Sequence, residues 1–423
     1  MSRDAFARGD FPLLARTVNG RPLVYLDNAA TLPMPRLVLD ELCAFRSNSY
    51  ANIHRGVHTL SEESSRRYDE ARRTAAEFIG GNEPELVFTS GTTDSLNKAA
   101  AMLAPRLDER SNVVITAMEH HSNILVWRSL ARRTGCDLRV APVDGAGALD
   151  TGAFRALVDE STKIVAFTQL SNVTGIANDC ALLSGIAHER SDAVVVVDGA
   201  QGVVHLPTDV SALGCDMYAF SGHKLGAPTG IGGLWVRGPL LETLEPASFG
   251  GGTVWEVTSD RAVLSDDVER FEAGTPPIDG AVGLASAMRY WRAHDLDACR
   301  LRERRLIDRL EAGLANIEGA QVLGRAPERT GCLSFSVDVA SPFDWAKLLD
   351  GLGVAVRSGH HCAQPYLEAL GCAGAVRASV APFTSKDDID RLLEALAKAS
   401  LVLKGGGVRG RARNRRGHPG RPA

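Results

Sequence analysis

Two short apolar runs end in groups able to do chemistry. Val194 to Val197 leads into Asp198 and Gln201, and Met217 to Phe220 leads into Ser221-Gly222-His223-Lys224. Each run has the length and β-branched or aromatic content of a strand buried on both faces. Two strand ends would then present a carboxylate, an amide, a hydroxyl, an imidazole and a lysine at the edge where open parallel sheets bind ligands. A lysine there suits Schiff-base chemistry, and a carboxylate beside it suits a protonated pyridine nitrogen. The pair predicts a site for pyridoxal 5'-phosphate (PLP), with Lys224 and Asp198 as its two poles.

A second cluster lies more than a hundred residues later, in Arg357-Ser358-Gly359-His360-His361-Cys362-Ala363-Gln364-Pro365. A cysteine behind two histidines and an arginine has neighbours that favour thiolate. A Gly-flanked loop would let it move between a substrate and an acceptor. Three adjacent residues do not readily ligate one metal and no second ligand cluster is evident, so no metal is expected.

The elements needed to position these groups are legible. Glu85 to Thr89 reads as a strand, followed by Ser90-Gly91-Thr92-Thr93 and then helical character from Leu96 to Leu103. Free amides and hydroxyls at a helix N-terminus receive phosphate. Further strands are expected at Asn112 to Ala117, Lys163 to Leu170 and Gly230 to Val236, with helices near 124–133 and 181–189. Polar clusters close successive strands, which indicates a mostly parallel sheet with one ligand-facing edge. Thr59 and Glu62 read as a capping box for a helix to about Ile79. Residues 246–280 are Gly/Pro-rich and read as loops before a long helix, about 280–316, broken near His294-Asp295. From Gly331 an alternating strand, a helix and a closing helix from Lys386 to about Lys398 suggest a smaller α+β unit. The expected division is an arm at 1–20, a large domain at 21–280, a small domain at 281–404 and a tail at 405–423.

Composition limits the function classes. The 423 residues are 44% hydrophobic and 23% charged, ordinary for a soluble globular protein. No apolar run approaches the roughly 18 residues of a membrane span, and the start lacks the apolar core of a secretory signal, so the cytoplasm is the expected location. The net charge is −4, yet residues 404–423 carry one Lys, six Arg and no acid. Gly, Pro and Arg at that density predict a disordered extension. A nucleic-acid-binding or scaffold role through this tail is the alternative from a different class, disfavoured because charge runs are weak signals. The eight cysteines lack zinc-ligand spacing; apart from Cys362 they read as buried small hydrophobes.

Ten segments taken in order resemble the class V aminotransferases, fold-type-I PLP enzymes, and among them the group II cysteine desulfurases. They are YLDNAAT (25–31), HRGVHTLS (54–61), FTSGTTDSLN (88–97), MEHHSNI (118–124), LSNVTG (170–175), VVDGAQ (196–201), FSGHKLGAPTGIGGLW (220–235), FEAGTPP (271–277), VRSGHHCAQP (356–365) and VRAS (376–379). The resemblance implies an α/β PLP-dependent transferase with a mostly parallel sheet in its large domain and a smaller α+β C-terminal domain. It implies that Lys224 holds PLP, that Asp198 pairs with the ring nitrogen, that His120 stacks on the ring and that Gln201 meets its phenolic oxygen. Thr92, Thr93, Ser221 and His223 would hold the phosphate, with Thr275 reaching in from a second subunit of a homodimer. Asn172 and Arg377 would bind the substrate carboxylate, and Ala29, His54, Arg55 and Arg357 would line the pocket. The implied reaction converts L-cysteine to L-alanine, with Cys362 carrying the sulfur as a persulfide to a SufE/SufU-type acceptor or a pathway-specific carrier. L-Selenocysteine is the nearest alternative substrate; an aminotransferase or epimerase is the alternative within the fold. Three departures stand out: Gly226-Ala227 after the lysine, Gln169-Leu170 before Ser171, and Phe383-Thr384-Ser385 after the last motif.

Overall fold

The valine run behaves as its composition requires. Val195 and Val197 pack into one hydrophobic cluster and Val194 and Val196 into another, on opposite sides of one strand. That strand lies inside a seven-stranded sheet. Its members are β1 (Leu86–Thr89), β2 (Asn112–Thr116), β3 (Asp137–Ala141), β4 (Thr162–Thr168), β5 (Val194–Asp198), β6 (Met217–Ser221) and β7 (Gly232–Val236). Their spatial order is β1-β7-β6-β5-β4-β2-β3. From β6 to β3 every neighbouring pair is parallel, while β7 runs antiparallel to both β6 and β1. The half-exposed edge strand β3 is absent from the sequence reading because its apolar residues alternate with Asp137 and Arg139. The computed structural model describes residues 6–410 except Arg55, Pro327 and Glu328.

Helices cover both faces of this sheet. Helix α1 (Arg36–Asn48) and α2 (Thr59–Phe78) precede β1; α3 (Thr92–Leu103) and α4 (His121–Thr134) follow β1 and β2 directly. The cap of α2 is His58, whose Nδ1 accepts from the Ser61 amide at 3.2 Å, rather than the expected Thr59. The long helix is broken where expected, into α5 (Ile278–Arg292) and α6 (Leu296–Leu314). Asp295 caps α6 by accepting from the Ala298 amide at 3.0 Å. The stretch read as loops contains a short hairpin, Val254–Val257 with Ala262–Leu264.

A second sheet places the cysteine loop. Strands β8 (Ala320–Val322), β9 (Cys332–Val337), β10 (Arg357–Gly359) and β11 (Ala375–Ser379) lie in the order β8-β9-β11-β10, all antiparallel. Val24–Tyr25 pairs in parallel with Val354–Ala355, and Val24 and Leu26 bury against this unit's core. The start of the chain thus packs with its C-terminal part. The last helix, α7 (Lys386–Gly410), continues past the expected stop at Lys398. The remainder of the basic tail, residues 411–423, lies outside the described residues. Among the described residues no helix is long and apolar enough to cross a membrane.

Candidate active site

The carboxyl ends of β4, β5 and β6, the N-termini of α3 and α4 and the loop after β10 surround one cavity of ≈ 270 Å³. Lys224, Asp198, Cys362, His120, Asn172, Gln201, Ser221, His223, Thr92, Thr93, Ala29, Arg357 and Arg377 all line it. Residues far apart in the chain therefore meet at the edge where their types placed them.

Lys224 follows β6 in a tight turn, and its amine donates to the Ala29 carbonyl. Burial lowers its pKa to about 8; the Arg377 charge acts in the same direction and Asp198 opposes it. Asp198 closes β5, with Oδ1 accepting from the Ala200 amide at 2.9 Å. Burial raises its carboxyl to about 6. Behind it sits Glu119, wholly buried, accepting from Asn123 Nδ2 at 2.6 Å and the Thr168 amide at 3.0 Å. Burial raises the Glu119 carboxyl to about 8, despite these donors.

The N-terminus of α3 forms a cradle. Gly91 has φ +140°, and a Cβ there would lie 3.1 Å from Ser221 Oγ. The Thr92 amide donates to Ser221 Oγ at 2.7 Å, and Thr92 Oγ1 lies 2.8 Å from the same oxygen. Thr93 Oγ1 is 2.8 Å from Ser122 Oγ. His223 Nδ1 is 3.3 Å from Thr31 Oγ1, and burial lowers its pKa to about 4. His120 caps α4, its Nδ1 accepting from the Ser122 amide at 3.1 Å. Burial, with Lys224 nearby, also lowers His120 to about 4, so it is a neutral imidazole.

On the other wall, Arg377 is buried in β11. Its Nη1 donates to the Asn172 carbonyl at 2.8 Å, while its Nε is buried without a partner. Asn172 Nδ2 donates to the His361 carbonyl at 2.8 Å, which ties the cysteine loop to this wall. Cys362 is exposed to the cavity, and the loop turns through two left-handed residues, His361 at φ +51° and Cys362 at φ +57°. The Cys362 carbonyl accepts from the His121 amide at 2.6 Å. His361 turns its Nε2 to the Ala375 carbonyl at 3.1 Å, and burial lowers its pKa to about 3. Gln201 Nε2 donates to the Ala29 carbonyl at 2.9 Å, and Arg357 is paired with Asp27.

His54, expected in the pocket, lies elsewhere in this chain, as does Thr275, which was expected to come from a second subunit. His54 sits beside Glu269, with Nδ1 at 3.3 Å, on a separate cleft of ≈ 1000 Å³. Thr275 is exposed in the loop before α5 and does not line the Lys224 cavity. Arg55 lies outside the described residues. Sequence reasoning missed Ser122, Glu119 and Asp27, although each falls within a motif it quoted. Cys43, read as buried, is exposed on α1, and Cys372 is half-buried.

The departures are accommodated by packing. Gly226 adopts φ +82°, where a side chain would press on the Pro33 carbonyl, and Ala227 is buried. Gln169 accepts from the Tyr218 hydroxyl at 2.7 Å. Phe383 packs against Phe11 with ring centres 4.6 Å apart and planes tilted by 51°, and Thr384 Oγ1 accepts from the Ala381 amide at 2.9 Å.

The donor set fits PLP. Hydroxyls and first-turn amides at α3 suit a phosphate, Asp198 suits a ring nitrogen, Lys224 suits an aldehyde, and the Arg377 guanidinium on the cavity wall suits a carboxylate.

Comparison with known proteins agrees with this geometry. The aminotransferase class-V family matches residues 24–392. A cysteine desulfurase of Cronobacter sakazakii is 40% identical over 399 residues, covering 94% of this chain and 98% of that protein. A probable cysteine desulfurase 1 of Mycobacterium leprae is 41% identical over 401 residues; this chain covers 65% of its length, and 58% of a probable cysteine desulfurase of Mycolicibacterium paratuberculosis. The crystal structure of the cysteine desulfurase CsdA from Escherichia coli superposes with TM-score 0.86 at 36% identity, covering 93% of this chain and 98% of that one. With the family match over most of its length and near-complete coverage of such relatives, the chain belongs to the class-V aminotransferases, in their cysteine desulfurase branch.

Proposed function

We propose that this protein is a PLP-dependent cysteine desulfurase that releases L-alanine from L-cysteine and keeps the sulfur on Cys362. The observation that carries the reading is the convergence of Lys224, Asp198, Arg377 and Cys362 on one cavity. Lys224, Asp198, His120, Thr92, Thr93, Ser221, His223 and Gln201 would hold the cofactor. When bound, it supplies an electron sink for charge developing at the substrate Cα.

The chain's own groups do the rest. The Arg377 guanidinium and the second N–H of Asn172 Nδ2, both on the cavity wall, bind the substrate carboxylate and aim Cα at Lys224. The Lys224 amine, neutral above about pH 8, takes the Cα proton as general base. Neutral His120 keeps a second positive charge away from that amine. Cys362 Sγ, as thiolate, attacks the substrate sulfur. An S–S bond forms as the substrate Cβ–S bond breaks, and its electron pair stays with the carbon fragment, which is protonated and leaves as L-alanine. The backbone ties from His361 to Asn172 and from Cys362 to His121 hold the loop against the cavity during transfer.

A second copy of the chain completes the reading. Phe249, Trp255, Val257 and Val263 are large apolar side chains left exposed on and beside the hairpin. His54 and Thr275, away from this chain's own cavity, are then contributed across a homodimer interface. Delivery to an acceptor protein follows from the exposure of Cys362.

The test is alanine release. Wild-type protein loaded with PLP should form alanine from L-cysteine, and Cys362→Ala should lose this turnover while retaining the cofactor absorbance. Comparing L-cysteine with L-selenocysteine in both proteins separates a desulfurase from a selenocysteine lyase.

A further inference from the structure

Cys362 sits in a turn that its residue types do not favour. The Ala363 amide donates to the His360 carbonyl at 2.9 Å, and both residues between them are left-handed, His361 at φ +51° and Cys362 at φ +57°. Turns with two left-handed central residues are ordinarily filled by Gly, Asn or Asp, because a Cβ crowds the backbone there. His361 adds a second cost, since its Nδ1 is buried without a partner. Such a turn persists only where its surroundings hold it. Two bonds from the large-sheet side do so. Asn172 Nδ2 donates to the His361 carbonyl at 2.8 Å, and the His121 amide donates to the Cys362 carbonyl at 2.6 Å.

The second bond is the one on the nucleophile's own peptide group. His121 is the first residue of α4, so its N–H finds no partner within the helix and serves the loop instead. The ring adds a longer contact, Nε2 accepting from the Gln364 amide at 3.4 Å, on a half-exposed side chain where water replaces it readily. His120, the preceding residue, lines the Lys224 cavity. One peptide unit thus joins a wall of the cofactor cavity to the carbonyl of the cysteine. We propose that the His121 backbone amide is the positioning group of the nucleophile, holding Cys362 in its left-handed turn toward the cavity. Without that bond the turn relaxes, and Cys362 meets solvent more and bound substrate less.

The inference rests on Cys362 as the sulfur-accepting nucleophile and deepens that reading. One substitution isolates the bond. Proline is tolerated at the first helical position, and His120, at φ −64° and ψ 150°, already has the extended backbone that a following proline requires. His121→Pro therefore deletes the N–H and puts Cδ in its place while α4 stays intact. His121→Ala keeps the amide and loses only the ring, so the two variants are compared with each other. Two rates are read in PLP-loaded protein: alanine release in a single turnover of L-cysteine, and alkylation of Cys362 by iodoacetamide, followed by mass on its peptide. Relative to His121→Ala, alanine release in His121→Pro should fall about tenfold or more and alkylation should rise about fivefold, the scale of one hydrogen bond and of a displaced nucleophile. The buried Cys180 and Cys215 monitor unfolding in the same digest and should stay unmodified. Alkylation needs no turnover, so it decides the inference even where no alanine forms. If the proline variant does not fold, hydrogen exchange at the His121 amide of the wild type decides. The bond should protect it about tenfold or more, whereas a first-turn amide facing water exchanges freely. Equal alkylation of Cys362 in the two folded variants, both rates moving in the same direction, or a freely exchanging His121 amide overturns the proposal.

Discussion

Lys224 carries the most exposed claim at the residue scale, because its ordinary pKa of 10.5 is lowered to about 8 by burial and by Arg377. A neutral amine is needed to capture an aldehyde, so the rate of PLP uptake by cofactor-free protein should rise with pH through an inflection near 8. An inflection near 10.5 would mean that the amine sits in water. The same shift has a stability consequence. Between about 8 and 10.5 the unfolded chain holds a proton that the folded chain lacks, so this group's contribution to stability rises with pH across that window. Its cost is largest below pH 8, and Lys224→Met should remove that slope. Arg377 makes a complementary prediction. Arg377→Gln removes a guanidinium from the cavity wall and should raise KM for L-cysteine at least about tenfold, the worth of one hydrogen bond between charged groups. A change confined to kcat would contradict its role in binding.

Elements explain why these residues were legible and where legibility stopped. The strand-ending polar clusters identified the ligand edge because a strand buried on both faces has a distinctive run, as in Val194–Val197. The α3 cradle was readable from Ser-Gly-Thr-Thr, but its start at Thr92 was not, because the helix begins as soon as Gly91 has turned the chain. Gly91→Ala should cost about 1–3 kcal/mol of stability and weaken PLP affinity, since φ +140° and the close Ser221 Oγ both oppose a side chain. Unfolding and cofactor titration of that variant check this. What the sequence could not convey were contacts made across long separations. Asp27 meets Arg357 more than three hundred residues away, and Asn172 ties down the carbonyl of His361. Nor was the hairpin legible within a Gly/Pro-rich stretch, where its exposed residues follow no burial pattern.

At the scale of the whole molecule, the small unit holds Cys362, Arg357 and Arg377, while the large sheet holds the cofactor groups. The fold class and the convergence of most site residues could be read in advance, because the chemistry of Lys224, Asp198 and Cys362 was joined by ten ordered segments that resemble one family. The placement of His54 could not, because this chain does not bring it to its own cavity. The dimer reading predicts that Trp255→Asp, which puts a charge on the exposed hairpin face, shifts the protein from dimer to monomer in sedimentation. Alanine formation should fall with it. Mixing that monomer with a Thr275 variant should not restore activity.

The central claim is that the distant cysteine takes the sulfur which the cofactor site activates. The direct measurement is mass analysis of Cys362 after a single turnover of L-cysteine in the absence of any acceptor, with alanine quantified in the same sample. The account predicts a mass gain of one sulfur atom on Cys362 for each alanine released, and loss of both in Cys362→Ala. Alanine released at an undiminished rate by that variant would contradict it.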